Sequence, residues 1–294
     1  MSKKIIYIIG AGRSGTTLLD IVLGNNPQTF SAGELNRFPT RNGIPPLLEK
    51  ESPKFIFWDN FKTKLFQKFK KFDFAGLNDL INKYEYHLGV FRILFGSKSS
   101  KSRIDYHEYL QAFFDTLSNQ IDQEIIIDSS KYPCRGYHLS QIYKDQISFV
   151  YIKRNPIGVV KSFEKKEIEQ PPKGWLMANI YLFCVNMLCL FILKRISKSS
   201  KVVAITLESL TNEPEQTLTH ISKELNVDLS HSISLAKAYA PLKTGCLFDG
   251  NRLRLKSEIV MEKVSVKNKN LTFKEKITWS LNSLWYNKNL KSNN

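Results

Sequence analysis

Cysteine is scarce in this sequence, with only 4 residues among 294. None belongs to a Cys-x-x-Cys pair, and no histidine lies nearby at the spacing of metal ligands. The four residues are Cys134, Cys184, Cys189 and Cys246. We therefore expect free thiols in a cytoplasmic protein, and we expect no metal site.

Acidic residues are also few, because 27 Asp and Glu stand against 43 Lys and Arg, which gives a formal net charge of +16. This excess favours anionic partners such as nucleotides, acidic glycans, anionic lipids or nucleic acid. The lysine-rich composition of an AT-biased genome accounts for it equally well. Since the basic residues are spread along the chain and match no nucleic-acid-binding motif, we expect no nucleic-acid partner.

One apolar segment lacks charge altogether, Leu176–Leu193, "LMANIYLFCVNMLCLFIL". Its length reaches the threshold for a membrane-spanning helix. However, it contains Asn179 and Asn186 near one helix face, and it would be a lone span in mid-chain. We therefore expect a core helix, with contact between residues 176–193 and a membrane surface as the alternative.

Internal repeats and low-complexity linkers are missing, and short β-branched runs alternate with helical patterns. This alternation predicts an α/β fold with a mainly parallel sheet flanked by helices. The predicted strands are Lys4–Ile9, Glu124–Ile127, Ile147–Ile152 and Val202–Leu207. Helices are predicted to begin at Thr16, Pro133, Pro156 and near Pro214. Between about residues 41 and 121 the pattern is helical.

The glycine loop after the first strand, "GAGRSGTT", fits two phosphate-binding patterns. It satisfies G-x-G-x-x-G, and it satisfies the P-loop spacing except that Thr16 stands where the lysine should be. A strand, a glycine turn and a helix direct backbone N–H groups at an anion. Without the lysine that reaches the β- and γ-phosphates, the loop predicts a 5′-phosphate with one transferable group and no metal. Arg13 would be a fixed cation beside that group.

A dinucleotide site would need an acidic residue about 20 residues further on, at the end of a second strand. Glu34 lies at about that distance, but the surrounding "NNPQTFSAGELN" makes a poor central strand. The dinucleotide interpretation is therefore the weaker of the two.

A second anion site is indicated by "SFVYIKRNPIGVVKSF". Arg154 follows a predicted strand, Pro156 opens a helix, and Ser162 lies two turns into it. Arg154 and Ser162 would clamp a second, separate phosphate. Together with the glycine loop, they suit an adenosine that carries both 5′ and 3′ phosphates.

Several stretches in the same order resemble the sulfotransferase family. "GAGRSGTTLL" is similar to its 5′-phosphosulfate loop and "YIKRNPIGVVKS" to its 3′-phosphate motif. "NNPQTFSAGE" resembles a segment of the tyrosylprotein and bacterial enzymes, and "IIIDSSKYPCR" resembles the DSSKxPxR of the carbohydrate enzymes. "ITLESLTNEPEQTLTHISKELNV" and "DGNRLR" match later segments, so the resemblance runs from Gly10 to Arg254.

The resemblance implies a P-loop-like nucleotide-binding fold in a single domain over residues 1–294, with a helical acceptor-side insertion at about 41–121. It implies 3′-phosphoadenosine 5′-phosphosulfate (PAPS) as the sulfuryl donor, without a metal, and a hydroxyl or amine acceptor. The carbohydrate-like motif favours a glycan or glycolipid. The implied donor-binding residues are Gly12, Arg13, Ser14, Gly15, Thr16, Thr17, Arg154, Ser162, Gly250, Asn251 and Arg252.

The resemblance also implies catalytic residues. Glu34 matches the general base of the tyrosylprotein enzymes, and a carboxylate near the reacting centre can take the acceptor proton. Lys131 would neutralise the sulfuryl oxygens, Arg13 would stabilise the leaving oxygen, and Asp128 would hold Lys131 or Ser130. The histidine that often precedes the late "GN" is absent, and none of the five histidines falls where the cytosolic enzymes place their base.

Other interpretations stay open at this point. A kinase-like P-loop enzyme would need the missing lysine, and an NAD-dependent oxidoreductase would leave the DSSK and Arg-Asn-Pro stretches without a role. A non-catalytic nucleotide-binding or nucleic-acid-binding protein would use the net positive charge. The sequence does not report the oligomeric state.

Overall fold

The computed structural model describes residues 3–71, 73–165, 172–265 and 270–287. Seven strands are found there: β1 (Lys4–Ile9), β2 (Thr29–Gly33), β3 (Ile125–Lys131), β4 (Ile147–Lys153), β5 (Val202–Thr206), β6 (Leu242–Lys243) and β7 (Glu258–Ile259). The first five form a parallel sheet in the order β2-β3-β1-β4-β5, and β6 pairs antiparallel with β7. The predicted α/β fold with a parallel central sheet is confirmed.

Helices connect the strands. They are α1 (Thr16–Gly24), α2 (Pro53–Lys68), α3 (Phe74–Tyr84), α4 (Gly89–Phe95), α5 (Lys101–Ser118), α6 (Pro133–Tyr143), α7 (Pro156–Glu164), α8 (Trp175–Ile196), α9 (Leu207–Asn212), α10 (Pro214–Leu225), α11 (Ser230–Lys237) and α12 (Phe273–Asn287). Proline fits the first turn of a helix because its missing N–H would have no partner there. The predicted helix starts at Thr16, Pro133, Pro156 and Pro214 are confirmed.

The sheet is buried on both faces because alternate side chains of each strand enter different core clusters. Ile6 and Ile8 of β1 belong to one cluster with residues of α1, α10 and α11, whereas Ile5, Tyr7 and Ile9 belong to the other with residues of α2, α5, α6 and α8. Such double burial explains why the central strands are apolar throughout their length.

Strand β2 was not predicted, and the predicted strand Glu124–Ile127 was too short, since β3 continues to Lys131. From its sequence this stretch makes a poor central strand, and β2 is in fact an edge strand of the sheet. A late segment covers that edge: Phe248 N donates to Ala32 O at 2.8 Å. Edge strands are commonly protected by such a covering segment.

Helix α8 has one buried face and one exposed face. Leu182, Val185 and Cys189 lie in the core, while Met177 and Ile180 are exposed. By length and composition it is the one helix among the described residues that could cross a membrane, and 44% of its apolar window is buried. Its asparagines serve the packing, since Asn186 accepts a hydrogen bond from the Tyr151 hydroxyl at 3.0 Å.

Candidate active site

The loop that joins β1 to α1 presents a helix N-terminus without a capping side chain. The residue before the helix, Gly15, has φ 95° and makes no side-chain cap. The first helical hydrogen bond runs from Leu19 N to Gly15 O at 3.0 Å. The amides that precede Leu19 are those a helix leaves unpaired. An anion would therefore complete this end of the helix.

Gly12 lies where the same loop meets helix α8. Its N–H donates to the Tyr181 hydroxyl oxygen at 3.0 Å. A Cβ at position 12 would lie 3.0 Å from that oxygen, so a larger residue would push the two elements apart. The loop is thus held by a side chain 169 positions away.

One cavity of about 160 Å³ is lined by all the predicted site residues except Ser14 and Arg252. It lies at the carboxyl ends of the strands, where open α/β sheets bind their ligands. Ser14 is buried beneath the loop, and its N–H donates to Ala11 O at 3.2 Å. Arg252 is exposed at the start of a short 3₁₀ turn, and Leu253 lines the cavity instead.

The late loop reaches the cavity because it is attached to both β2 and α1. Glu34 N donates to Asp249 O at 3.0 Å, and Asn251 N donates to the Thr17 hydroxyl at 3.2 Å. Gly33 has φ 81°, and a Cβ there would lie 2.6 Å from Asp249 O. Position 33 therefore requires glycine for both conformation and space.

Arg154 and Ser162, the predicted second phosphate clamp, line the same cavity as the glycine loop. Arg154 follows β4, and its Nη1 donates to Arg13 O at 3.0 Å. Its Nε is buried without a hydrogen-bond partner among the described residues. Burial lowers the pKa of Arg154, an effect that Glu208 opposes and Arg13 reinforces. This side chain has the unsatisfied donor that an anion would accept from.

Glu34 and Lys131 form an ion pair at the ends of β2 and β3. Lys131 Nζ lies 2.5 Å from Glu34 Oε1, and both side chains are largely buried. The second carboxylate oxygen faces Arg37, whose Nε is 3.8 Å away. A carboxylate in this position could act as a general base.

A buried carboxyl group behind the glycine loop joins α1 to both strands that carry this pair. Asp20 accepts hydrogen bonds from Gly33 N at 3.0 Å, from the Ser129 hydroxyl at 2.6 Å and from the Ser31 hydroxyl. Burial raises the pKa of Asp20 to about 7, although these hydrogen bonds lower it. Asp20 therefore links Gly33, next to Glu34, with Ser129, two residues before Lys131, through hydrogen bonds.

Asp128 holds Ser130, the residue before Lys131. It accepts hydrogen bonds from the backbone N–H and hydroxyl of Ser130, whose oxygen accepts from Asn36 N at 3.0 Å. It also receives Arg135 Nε at 3.1 Å, and Arg135 Nη1 lies 2.6 Å from Glu85 Oε1. The prediction that Asp128 holds Lys131 or Ser130 is thus met through Ser130.

Sequence reasoning missed a group of side chains close to Glu34, namely Arg37, Tyr86, His87, Tyr132 and Tyr181. Their rings form a chain of contacts, with centroids 5.1 Å apart for Tyr86 and Tyr132, 5.4 Å for His87 and Tyr132, and 6.1 Å for His87 and Tyr181. Tyr132 directly follows Lys131 in "IIIDSSKYPCR", and Tyr181 lies in the apolar run 176–193, but no spacing rule brings these positions together at Glu34.

Among the residues that the structure describes, no group of three or more His, Cys, Asp or Glu side chains could hold a metal ion. A larger cavity of about 520 Å³ lies at the other end of the strands, where residues at the starts of β1, β4 and β5 line it. It contains none of the predicted site residues.

Comparison with known proteins agrees with the geometry. The sequence profile of the sulfotransferase family matches residues 6–231. The fold is similar to a sulfotransferase domain from the Synechococcus PCC 7002 olefin synthase, with TM-score 0.50 and 18% identity over 98% of this chain and 95% of that one. It is also similar to a sulfotransferase domain from the curacin biosynthetic pathway, with TM-score 0.51 and 16% identity over 96% and 98%. No curated protein matches the sequence significantly.

Proposed function

The chain belongs to the sulfotransferase family, and on that premise we propose that it transfers a sulfuryl group from PAPS to a hydroxyl of a carbohydrate or glycolipid. The observation that carries the donor assignment is the single cavity shared by the glycine loop, Arg154 and Ser162. Two anion-binding elements in one cavity suit a ligand with two separate phosphate groups. A mononucleotide would need only one of them.

The residues of the cavity fit such a donor. The uncapped N-terminus of α1 would bind the 5′-phosphate through backbone N–H groups and the hydroxyls of Thr16 and Thr17. Arg154, with its buried unsatisfied Nε, and Ser162 would bind the 3′-phosphate. Gly250 and Asn251 would close the cavity beside Thr17.

The bound donor supplies a sulfuryl group whose bond to the 5′-phosphate can break. Glu34 would accept the proton of the acceptor hydroxyl while the new oxygen–sulfur bond forms. Lys131 and Arg13 would stabilise the sulfuryl oxygens and the leaving phosphate oxygen, which keeps the bonding electron pair. The proton then passes from Glu34 to solvent.

The observed ion pair gives Lys131 a second role. Because its Nζ contacts Glu34 directly, Lys131 would hold the carboxylate in place before the acceptor binds. When the acceptor hydroxyl replaces this contact, Nζ would become free to bind the sulfuryl oxygens. One residue would therefore prepare the base and then stabilise the transferred group.

Three observations support a carbohydrate or glycolipid acceptor. The DSSK stretch resembles the carbohydrate enzymes, the net charge is +16, and aromatic side chains lie beside Glu34. The exposed face of α8 would bring a lipid-linked acceptor within reach of a membrane surface, and we propose the cytoplasm as the compartment.

Calorimetric titration with adenosine 3′,5′-bisphosphate (PAP), compared with AMP, ATP-Mg and NAD, tests the donor site. We expect PAP to bind most tightly and Arg154→Ala to weaken it by about tenfold or more, as expected for lost hydrogen bonds to a charged group. Arg195→Ala, an exposed arginine stacked on Phe191, is the matched control. Preference for ATP-Mg or NAD would refute the donor assignment.

A radiolabelled donor then tests the acceptor class. Transfer of label to glycans or glycolipids supports the proposal. Transfer only to phenols or to non-carbohydrate alcohols would overturn the acceptor assignment and leave the donor site intact.

A further inference from the structure

Arg37 lies beside the proposed base, Glu34. It ends the 3₁₀ turn Leu35–Arg37, and its side chain is 30% exposed. Its Nε lies 3.8 Å from Glu34 Oε2, which is longer than a hydrogen bond. Among the described residues, no hydrogen bond is found for its side chain. Arg41 differs, since its Nε bonds Asp249 at 3.1 Å.

Two other basic side chains of this region, among the residues that the structure describes, are engaged or neutral. Lys131 is paired with Glu34 at 2.5 Å. Burial lowers the pKa of His87, so its ring is neutral near pH 7. Arg37 therefore supplies the accessible positive charge on this side of the carboxylate.

Half-buried aromatic rings lie next to Arg37. Burial raises the pKa of Tyr86 and of Tyr132, and the nearby Arg37 charge opposes both shifts. The two rings meet edge to face at 5.1 Å, and His87 extends the row to Tyr181. Apolar ring faces with a few polar groups at their edges suit the body of a ring-shaped ligand.

An acceptor hydroxyl that Glu34 deprotonates must lie within hydrogen-bond distance of its carboxylate. Since Arg37 Nε is 3.8 Å from that carboxylate, a substituent a few ångströms from the hydroxyl would meet the guanidinium. The planar guanidinium binds carboxylate, phosphate and sulfate groups with two parallel hydrogen bonds.

We propose that Arg37 selects acceptors that carry an anionic group next to the hydroxyl to be sulfated, with the ring of the acceptor against Tyr86, His87, Tyr132 and Tyr181. This inference rests on the proposed function and narrows it from a carbohydrate to an acidic one, such as a sugar with a carboxylate, phosphate or sulfate group. Arg37 thereby distinguishes acidic from neutral acceptors.

The test uses the full chain saturated with PAP and two matched pairs of probes. One pair is nitrophenyl glucuronide and nitrophenyl glucoside, and the other is hydroxyphenylacetate and hydroxyphenylacetamide. Calorimetry measures the binding of each probe, and radiolabelled PAPS measures kcat/KM. Within a pair the two probes differ in charge, whereas the two pairs differ in whether the ring is a sugar or a phenol.

We expect the wild type to prefer the glucuronide to the glucoside by about tenfold or more, the range for hydrogen bonds to a charged group. Arg37→Ala should abolish the preference, so that the glucuronide and the glucoside are used about equally. Arg37→Lys should keep part of it, because the charge remains and the paired donors are lost. Arg41→Ala is the matched control and should retain the full preference.

An equal loss for both sugars in Arg37→Ala would mean that Arg37 acts only through Glu34, and would overturn the proposal. Absence of a preference for the acidic probe in both pairs would also overturn it. A preference confined to the phenol pair would refute the sugar ring but retain the anion site. Failure of the wild type to bind PAP would instead refute the donor assignment.

Discussion

Replacing Asp20 with asparagine tests whether the carboxyl group behind the glycine loop destabilises the folded protein when it ionises. Asp20 is fully buried, and its charge is balanced by three hydrogen bonds rather than by a cation. Burial raises its pKa from 3.8 to about 7. Asparagine has nearly the same shape and can still accept from Gly33 N, but it carries no charge.

The direction of the pH dependence of stability follows from the raised pKa of Asp20. In the unfolded chain Asp20 ionises near its ordinary pKa, whereas in the folded chain it keeps its proton until about pH 7. Its contribution to stability is therefore fully present below pH 4 and is lost as the pH rises through 7. A shift of this size corresponds to about 4 kcal/mol in total, of which about 3 kcal/mol falls between pH 5 and pH 8.

Urea unfolding of both proteins at several pH values between 5 and 8 measures the effect. The quantity to compare is the difference in unfolding free energy between wild type and Asp20→Asn, because other groups titrate as well. His107 and His138, for example, have lowered pKa values and add stability as the pH rises. We expect Asp20→Asn to gain about 3 kcal/mol relative to wild type across this range. A difference that stays constant with pH would refute the reasoning.

Three further substitutions test the proposed catalytic pair and its support. Glu34→Gln should lower kcat by about 10²-fold or more while PAP affinity stays near normal, and near-normal turnover with radiolabelled donor would show that Glu34 is not the base. Arg135→Met should lower the unfolding free energy by about 3–5 kcal/mol, because it leaves Glu85 and Asp128 buried without their cation. Glu85→Gln should lower the unfolding free energy by less than Arg135→Met, because Arg135 still pairs with Asp128. If urea unfolding showed the larger loss for Glu85→Gln, this account would be contradicted.

The sequence alone predicted the elements that local patterns encode. The glycine loop, the strand before Arg154 and the helix with Ser162 are each contained in one short stretch. A parallel sheet places the carboxyl ends of its strands along one edge, so motifs at those ends can be expected to meet. This is why Lys131 and Arg154 could be placed at one end of the sheet before their distances were known, whereas Glu34 was named only from the family resemblance, since β2 had not been predicted.

Neither strand β2 nor the position of the Arg252 side chain could be predicted from local patterns. A short edge strand lacks the continuous apolar run that marks a central one, and β2 acquires its partner on one side from the late segment at Phe248. Within "GNRLR" the spacing did not reveal which side chain lines the cavity, because the 3₁₀ turn exposes Arg252 and buries Arg254.

The environment of Glu34 was decided by the tertiary structure. Tyr86 comes from the turn between α3 and α4, Tyr132 from the end of β3 and Tyr181 from α8, and no spacing rule joins such distant positions. The pKa of Asp20 likewise depends on strands that fold over α1 and exclude water. Local hydrogen-bonding and helix-end patterns therefore determined the position of the proposed nucleotide site, while burial and packing between distant segments determined the surroundings of the proposed base.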